Sequence, residues 1–254
     1  MILEAIQYAA TYPVTPKPLR SHIHSSVSLW SRAGRCAKDW AEHEENCRAF
    51  IRETVKGMKQ RRTAVVLGSG LLRDVPIELL SRAFDTVVLV DLVHLASVRL
   101  WLKKRGLRNL RLIFRDLSGF DDAIAVNPVE PLAFLRQVPY LDLVISANLL
   151  SQIGVGAERR LEKSSDTPPV DVVQHLIRAH LDGLAGLPCR TVLLSDVSYG
   201  VMAKDGAEGE TGNLLHDVPA PAPHQSWRWP VVPFGEESLD YQIVHEVIAA
   251  RDLR

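Results

Sequence analysis

A glycine pair and two acidic residues follow three short apolar segments of the chain. Gly68, Ser69 and Gly70 come directly after the first segment, Asp91 ends the second, and Asp116 follows the third. Glycines let the backbone turn sharply and come close to a ligand. A carboxylate that ends a second strand can bind ribose hydroxyls, and one that follows a third strand can reach an adenine amino group. The pattern therefore indicates a site for a cofactor that contains adenosine.

Each of these features also has an ordinary structural explanation. The glycines can form a tight turn between a strand and a helix, and Asp91 can cap a helix that begins at Leu92. Asp116 can belong to a turn beside Ser118 and Gly119. Their joint position at the carboxyl ends of successive parallel strands favours the binding site, because open α/β sheets bind ligands there.

The elements that would position these residues follow from short β-branched runs that alternate with helical periodicity. Five runs are apolar enough for strands covered on both faces: 63–68, 86–91, 109–114, 141–146 and 191–196. Crossover helices are predicted at about Pro76–Ala83, Leu92–Arg105, Pro131–Val138 and Val170–Gly183. Two last strands are predicted around a turn at Phe234–Glu237: Trp227–Val232 and Leu239–Ile248. The predicted fold class is α/β, a three-layer sandwich with a mostly parallel seven-stranded sheet that ends in an antiparallel hairpin.

The segments outside this pattern are predicted to border the site. Residues 1–28 contain three prolines and are expected to form an arm, and 29–60 are expected to form one or two helices that end near Gly57. The chain then divides into an N-terminal extension, 1–60, that can act as a lid, and one domain, 61–254. Ser164–Pro169 predicts a turn-rich interruption, and 203–226 predicts a long loop of the kind that often covers a site.

From Arg62 onward the chain resembles the class I, Rossmann-like family of S-adenosylmethionine-dependent methyltransferases. Gly68-Ser69-Gly70 looks like the glycine loop of that family, Asp91 like its ribose-binding acid and Asp116 like its adenine-contacting acid. Residues 142–153, DLVISANLLSQI, are similar to its fourth strand and to the loop that faces the transferred methyl group. The closing hairpin resembles its last two strands. The resemblance implies S-adenosylmethionine as cofactor and methyl transfer to an O, N or S nucleophile.

Two positions depart from the family pattern and leave other functions open. Val66 stands where an acid is usual, and Leu72 stands where a third glycine is common. This degenerate loop also fits a methyltransferase-like protein that binds a ligand or partner without catalysis. A nicotinamide oxidoreductase is the third hypothesis, but Arg73 replaces the last glycine of its motif, and Tyr199 and Lys204 are one residue too far apart for a dehydrogenase pair.

Methyl transfer needs few reactive side chains, because the sulfonium is already activated and the enzyme mainly aligns the reactants and excludes water. Asn148, after the fourth strand, is the catalytic candidate because it can accept a hydrogen bond from a substrate amine or hydroxyl; it can equally cap a helix that starts at Leu149. Arg73 in the glycine loop and Arg35 in the N-terminal helix are candidates for binding the carboxylate of the cofactor.

The histidines and cysteines show no regular metal-ligand spacing, so no metal site is predicted. His22-x-His24 lacks a third ligand. His43 and Cys47 lie one helical turn apart, which is most often a surface histidine beside a core cysteine. His216 and His224 lie in the long loop and are candidates for a general base near neutral pH.

The composition limits the partners that we expect. Thirty basic residues balance thirty acidic ones, so no net charge would draw the chain to nucleic acid or to an anionic membrane. Three sparse cysteines are typical of a reducing compartment. The N-terminus lacks the pattern of a signal peptide, and no run of about 18 apolar residues occurs. We therefore expect a cytoplasmic enzyme that acts on a small molecule, with the oligomeric state left open.

Overall fold

The computed structural model describes residues 1–163, 169 and 171–253. The strands are β1 Thr63–Leu67, β2 Thr86–Asp91, β3 Leu110–Phe114, β4 Leu141–Ala147, β5 Arg190–Ala203, β6 Glu208–Asn213, β7 Gln225–Val232 and β8 Tyr241–Arg251. The α-helices are α1 Ile2–Thr11, α2 Ile23–Arg35, α3 Ala41–Lys56, α4 Ile77–Ala83, α5 Ala96–Lys104, α6 Phe120–Ile124, α7 Leu150–Leu161 and α8 Val172–Ala185. Short 3₁₀ helices occupy Tyr12–Val14, Lys17–His22 and Ala133–Gln137.

The sheet has the predicted architecture. Its main path runs β3-β2-β1-β4-β5-β8-β7, with β1 to β5 parallel and with β8 antiparallel to both of its neighbours. Every residue of β1 is buried, as expected for a strand covered on both faces. The order reverses between β1 and β4, so the carboxyl ends of these two strands form the crevice in which such sheets bind ligands.

The predicted loop at 203–226 is partly wrong, because it contains an eighth strand. β5 continues to Ala203, and its outer half pairs with β6 as well as with β8. β6 has the sequence EGETGN and is almost entirely exposed, so it carries none of the apolar signal on which strand prediction depends.

The predicted N-terminal arm is largely helical. Pro13 and Pro18 lie at the first positions of 3₁₀ helices, where a proline costs no hydrogen bond. α1 is anchored on α5, because Gln7 Nε2 donates to Ser97 Oγ at 2.5 Å and Thr11 Oγ1 accepts from the amide of Ala96 at 3.1 Å. The following helical segment is confirmed as α2 and α3, which ends beside Gly57 as expected.

The crossover helices differ from prediction mainly at their ends. α5 begins at Ala96 rather than Leu92, the stretch near 131–138 is a 3₁₀ helix, and α6 and α7 were not among the predicted crossovers. α8 confirms the helix predicted at Val170–Gly183 from Val172 onward; Val170 itself and most of the predicted interruption at 164–169 lie outside the described residues. In the described ranges, no helix is both long and apolar enough to cross a membrane.

Candidate functional site

The loop after β1 is tied to β2 by its backbone. The amides of Gly68 and Ser69 donate to the carbonyl of Val90 at 3.0 and 3.3 Å. Gly68 and Gly70 both have positive φ, 70° and 46°, and Leu72 takes the same left-handed conformation at 58°. Leu72, the position at which the sequence pattern lacks a third glycine, therefore keeps a backbone conformation that favours glycine.

The two loop glycines are required for different reasons. A Cβ on Gly68 would lie 3.0 Å from Leu149 Cβ and 3.1 Å from the carbonyl oxygen of Ala147, so packing inside the protein excludes it. A Cβ on Gly70 would meet nothing closer than the Gly68 carbonyl at 3.8 Å. The tight-turn interpretation therefore accounts for Gly68, whereas Gly70 borders open space.

Asp91 is bound to the glycine loop. Its Oδ2 accepts a hydrogen bond from the amide of Gly70 at 2.7 Å, and its Oδ1 has a longer contact of 3.4 Å to the amide of Val93. The alternative that Asp91 caps the next helix is wrong, because α5 begins four residues later than Leu92 and Leu95 occupies its N-cap position.

Asp116 has the contacts of a turn residue. Its Oδ1 accepts from the amide and the hydroxyl of Ser118, at 2.8 and 2.6 Å, and its Oδ2 accepts from Arg160 Nη1 at 3.2 Å. Each carboxylate oxygen can accept about two hydrogen bonds, so Oδ2 keeps capacity for a ligand.

These residues share one cleft of about 540 Å³ at the carboxyl edge of the sheet. Of the predicted site residues, the cleft is lined by Gly68, Gly70, Asp91, Asp116 and Asn148, whereas Ser69 is buried behind the loop. The structure thus brings together five of the residues that were singled out from the sequence.

The N-terminal helices form the opposite wall of the cleft. Pro18, Ser21, His22, Ser25, Ser26 and Leu29 line it. Burial lowers the pKa of the half-buried His22, although the carboxylates of Asp116 and Asp91 oppose this effect. His22 belongs to the segment that was expected to form an arm, and its position on this wall depends on a fold of the N-terminus that its sequence did not indicate.

Asn148 is not a helix cap. α7 begins at Leu150, Leu149 holds its N-cap position, and no side chain caps it. Asn148 instead has a left-handed backbone, φ 48°, and its Nδ2 donates to Asp74 Oδ2 at 2.6 Å. Burial raises the pKa of the Asp74 carboxyl above its ordinary value. The Oδ1 atom of Asn148 is buried and has no hydrogen-bond partner among the described residues.

Arg73 and Arg35 do not reach this cleft. Arg73 pairs with Glu44 of α3, and Arg35 pairs with Glu236 of the turn between β7 and β8, at 2.5 Å. Both arginines line a different and larger groove, of about 1360 Å³, between the N-terminal helices and α4. Nearby acidic side chains therefore hold the two cations that we expected at the cofactor.

His43 lies in the core, which corrects the expectation of a surface histidine. Its Nδ1 accepts from Trp227 Nε1 at 3.1 Å, and its ring stacks on Trp229 with centroids 4.0 Å apart. Its Nε2 lies 3.5 Å from Asn148 Nδ2 and 3.7 Å from Cys47 Sγ. Burial lowers the pKa of His43 to about 4, so the ring is neutral at physiological pH. The sequence contained a signal for this burial, because His43 lies at helical spacing from Cys47 and Phe50 on the buried face of α3.

The two histidines of the long loop lie elsewhere. His216 Nε2 is 3.7 Å from Glu158 Oε1 on α7, and His224 is exposed near Phe50. Neither lines the cleft. The structure therefore gives no support to either of them as a base at this site.

No protein-family model and no curated protein sequence matches the chain. Structural comparison matches it to solved structures that include a Burkholderia thailandensis 1,6-didemethyltoxoflavin-N1-methyltransferase with S-adenosylhomocysteine bound, at 14% identity and a TM-score of 0.42, covering 90% of this chain and 84% of that one. The N-methyltransferase NodS from Bradyrhizobium japonicum, also bound to S-adenosylhomocysteine, matches at 12% identity and a TM-score of 0.40, covering 84% and 90%. The N-terminal domain of EvdMO1 with S-adenosylhomocysteine bound matches at 15% identity and a TM-score of 0.38, covering 82% of this chain and 80% of that one. With every one of these TM-scores below 0.5, neither activity nor ligand is transferred from these proteins to this chain.

Proposed function

We propose that the chain binds S-adenosylmethionine in the 540 Å³ cleft and transfers its methyl group to an O, N or S nucleophile of a small molecule. The observation that carries this proposal is the position of Asp91, whose carboxylate is held by the Gly70 amide at the end of β2 and borders the cleft. A carboxylate held in this way can bind ribose hydroxyls through charge-assisted hydrogen bonds.

The size of the cleft fits a small-molecule ligand. Its volume falls in the range of about 300–1,000 Å³ that is usual for small-molecule sites. The space beside Gly70 that a Cβ would enter is open, as a backbone in contact with a ligand requires. Asp116, after β3, is available for an adenine amino group. Asn148, after β4, borders the same cleft, and the resemblance implies that its segment faces the transferred methyl group.

The residues of the chain would act mainly by alignment and by exclusion of water. Asp91 and the Gly70 backbone would fix the ribose end, while the 3₁₀ helix at Lys17–His22 and the start of α2 would cover the cofactor. This fixed geometry turns an encounter of two molecules into an oriented transfer within one complex. Asn148 would orient the acceptor.

Calorimetric titration of the wild-type chain with S-adenosylhomocysteine, NAD and NADP tests the proposal. We expect saturable binding of S-adenosylhomocysteine alone, and binding of a nicotinamide cofactor alone would support an oxidoreductase instead. Transfer of tritium from methyl-labelled S-adenosylmethionine to small molecules of a cell extract then separates an enzyme from a protein that only binds the cofactor.

A further inference from the structure

A buried acid and a histidine form a pair at the carboxyl end of β5. Asp196 is only 3% exposed, and it accepts hydrogen bonds from the hydroxyl of Ser151 and from His245 Nδ1, the latter at 2.6 Å. Burial alone would raise the pKa of the Asp196 carboxyl, but the hydrogen bond from His245 holds it below its ordinary value. An ionised carboxylate can only accept, so it fixes the His245 tautomer with the proton on Nδ1 and the lone pair on Nε2.

This pair is connected through the backbone to the wall of the proposed cofactor cleft, although neither Asp196 nor His245 itself lines the cleft. Asn148, which lines the cleft, donates its backbone amide to the carbonyl of Leu194 at 2.9 Å, two residues before Asp196. Ser151, the hydroxyl partner of Asp196, follows Asn148 by three residues in the first turn of α7. The backbone that places Asn148 at the cleft therefore also places Asp196.

The ring of Trp229 connects the Asp196–His245 pair to His43 of α3. The ring of Trp229 stacks on His43 and meets His245 edge-on, with centroids 6.0 Å apart. Trp229 Nε1 is fully buried and has no hydrogen-bond partner among the described residues. A buried donor without an acceptor is unfavourable, so an oxygen atom bound beside it would be stabilised.

We propose that His245 is the general base for the methyl acceptor, that Asp196 positions it, and that the acceptor is a hydroxyl group whose oxygen accepts a hydrogen bond from Trp229 Nε1. This inference rests on the proposed function and names its acceptor. An imidazole oriented by a buried carboxylate is an established arrangement for proton abstraction.

The proton and electron pairs balance in this step. As the acceptor O–H bond breaks, its proton moves to Nε2 of His245, and the oxygen uses an electron pair to form the new C–O bond. The electron pair of the broken S–CH₃ bond stays on sulfur and removes its positive charge. His245 keeps 15% of its side chain exposed, so it can release the proton to solvent after transfer.

Three titratable groups lie around His245. Asp196 holds its Nδ1, and Tyr199 of β5 lies beside it with ring centroids 6.3 Å apart. His43 of α3 is neutral at physiological pH because burial lowers its pKa to about 4. Of these three groups, Asp196 is the one that carries charge near pH 7, so a new charge beside His245 should be detectable in its titration.

An NMR titration of His245 tests the inference without a known acceptor. The Cε1 signals of histidine-labelled protein are followed from pH 5 to pH 8.5, once with saturating S-adenosylmethionine and once with saturating S-adenosylhomocysteine. The His245 signal is the one that disappears in His245→Gln, and through-bond assignment along β8 identifies it if that variant does not fold. Only S-adenosylmethionine carries a positive charge on sulfur, so a His245 that faces this atom should titrate about half a pH unit or more lower with it.

Control signals make the result specific. The exposed His224 should titrate at the same pH in both complexes, and Asp196→Asn should lower the His245 midpoint in both, because a neighbouring negative charge is lost. Identical His245 midpoints in a protein that binds both ligands would overturn the inference and leave the proposed function standing. Failure of both ligands to bind would overturn the two together.

Discussion

The backbone amide of Gly70 donates a 2.7 Å hydrogen bond to Oδ2 of Asp91 and so joins the loop after β1 to the end of β2. This bond fixes the carboxylate before any ligand arrives, and among the described residues Oδ1 has a single long contact, 3.4 Å, from the amide of Val93. A site that is ordered in advance loses less entropy when a ligand binds. The bond therefore makes Asp91 the most specific point of the proposed cofactor site.

Replacement of Asp91 should weaken cofactor binding more than it harms the fold. In Asp91→Asn the amide oxygen can still accept from Gly70, but the negative charge that strengthens the ribose hydrogen bonds is lost. We expect S-adenosylhomocysteine to bind about 10- to 100-fold more weakly by calorimetry. Asp39→Asn, at an exposed position, makes the same charge change and should bind as the wild type does. Equal affinities in the two variants would remove Asp91 from the site.

Gly106 is a matched control for a test of whether a ligand occupies the open space beside Gly70. Both have positive φ, 46° and 67°, and an added Cβ would meet no atom closer than 3.8 Å at either position. Alanine should therefore cost each site a similar backbone strain of about 1–2 kcal/mol in the free energy of unfolding. Only Gly70 lines the cleft, so only Gly70→Ala should reduce the thermal shift that S-adenosylhomocysteine gives. A full shift in Gly70→Ala would show that no ligand approaches this backbone.

Gly68 should respond differently, because its Cβ would collide with the protein itself. Contacts of 3.0 Å to Leu149 Cβ and 3.1 Å to the Ala147 carbonyl add overpacking to the positive-φ strain. Gly68→Ala should lower the free energy of unfolding by about 2–5 kcal/mol, measured by urea denaturation. If Gly68→Ala loses no more unfolding free energy than Gly106→Ala does, Ala147 and Leu149 are not packed against this loop.

The two segments that were expected to act as lids should behave differently in hydrogen exchange. Six residues between Pro18 and Leu29 line the cleft, whereas β6, in the second segment, pairs with the outer half of β5 and contributes no residue to the lining of the cleft. S-adenosylhomocysteine should slow amide exchange in the first segment and leave β6 unchanged. Slower amide exchange in β6 alone would mean that the ligand binds at β6 and not in the cleft.

His180 makes the stability of the fold depend on pH. It is fully buried beside Ser146, and burial lowers its pKa to about 4, from 6.5 in the unfolded chain. Between these values the unfolded chain binds a proton that the folded chain does not, so stability is lost as the pH falls below 6.5. From pH 7 to pH 5 the wild type should lose about 2 kcal/mol more unfolding free energy than His180→Gln. His224→Gln, at an exposed position, should follow the wild type, and equal losses in all three proteins would contradict a neutral buried His180.

The sequence allowed the sheet and much of the cleft to be predicted because both depend on local signals. Short apolar runs marked the parallel strands, although β3, at the edge of the sheet, has no fully buried residue. The residues that end these runs marked the site. β6 was missed because an exposed strand has no apolar pattern. The Asp196–His245 pair joins residues 49 positions apart through the register of β5 and β8, which no local pattern specifies. Arg73 was wrongly expected at the cofactor. Its pairing with Glu44 depends on how α3 packs, which no local pattern specifies.

A crystal structure of the chain with S-adenosylhomocysteine would locate the cofactor site, because the protein has several cavities of very different size. We expect density in the 540 Å³ cleft, with a ribose hydroxyl within about 3.2 Å of an Asp91 carboxylate oxygen. The ligand could instead occupy the 1360 Å³ groove beside Arg73 and Arg35. Density in that groove with an empty cleft would show that Asp91 does not bind the cofactor.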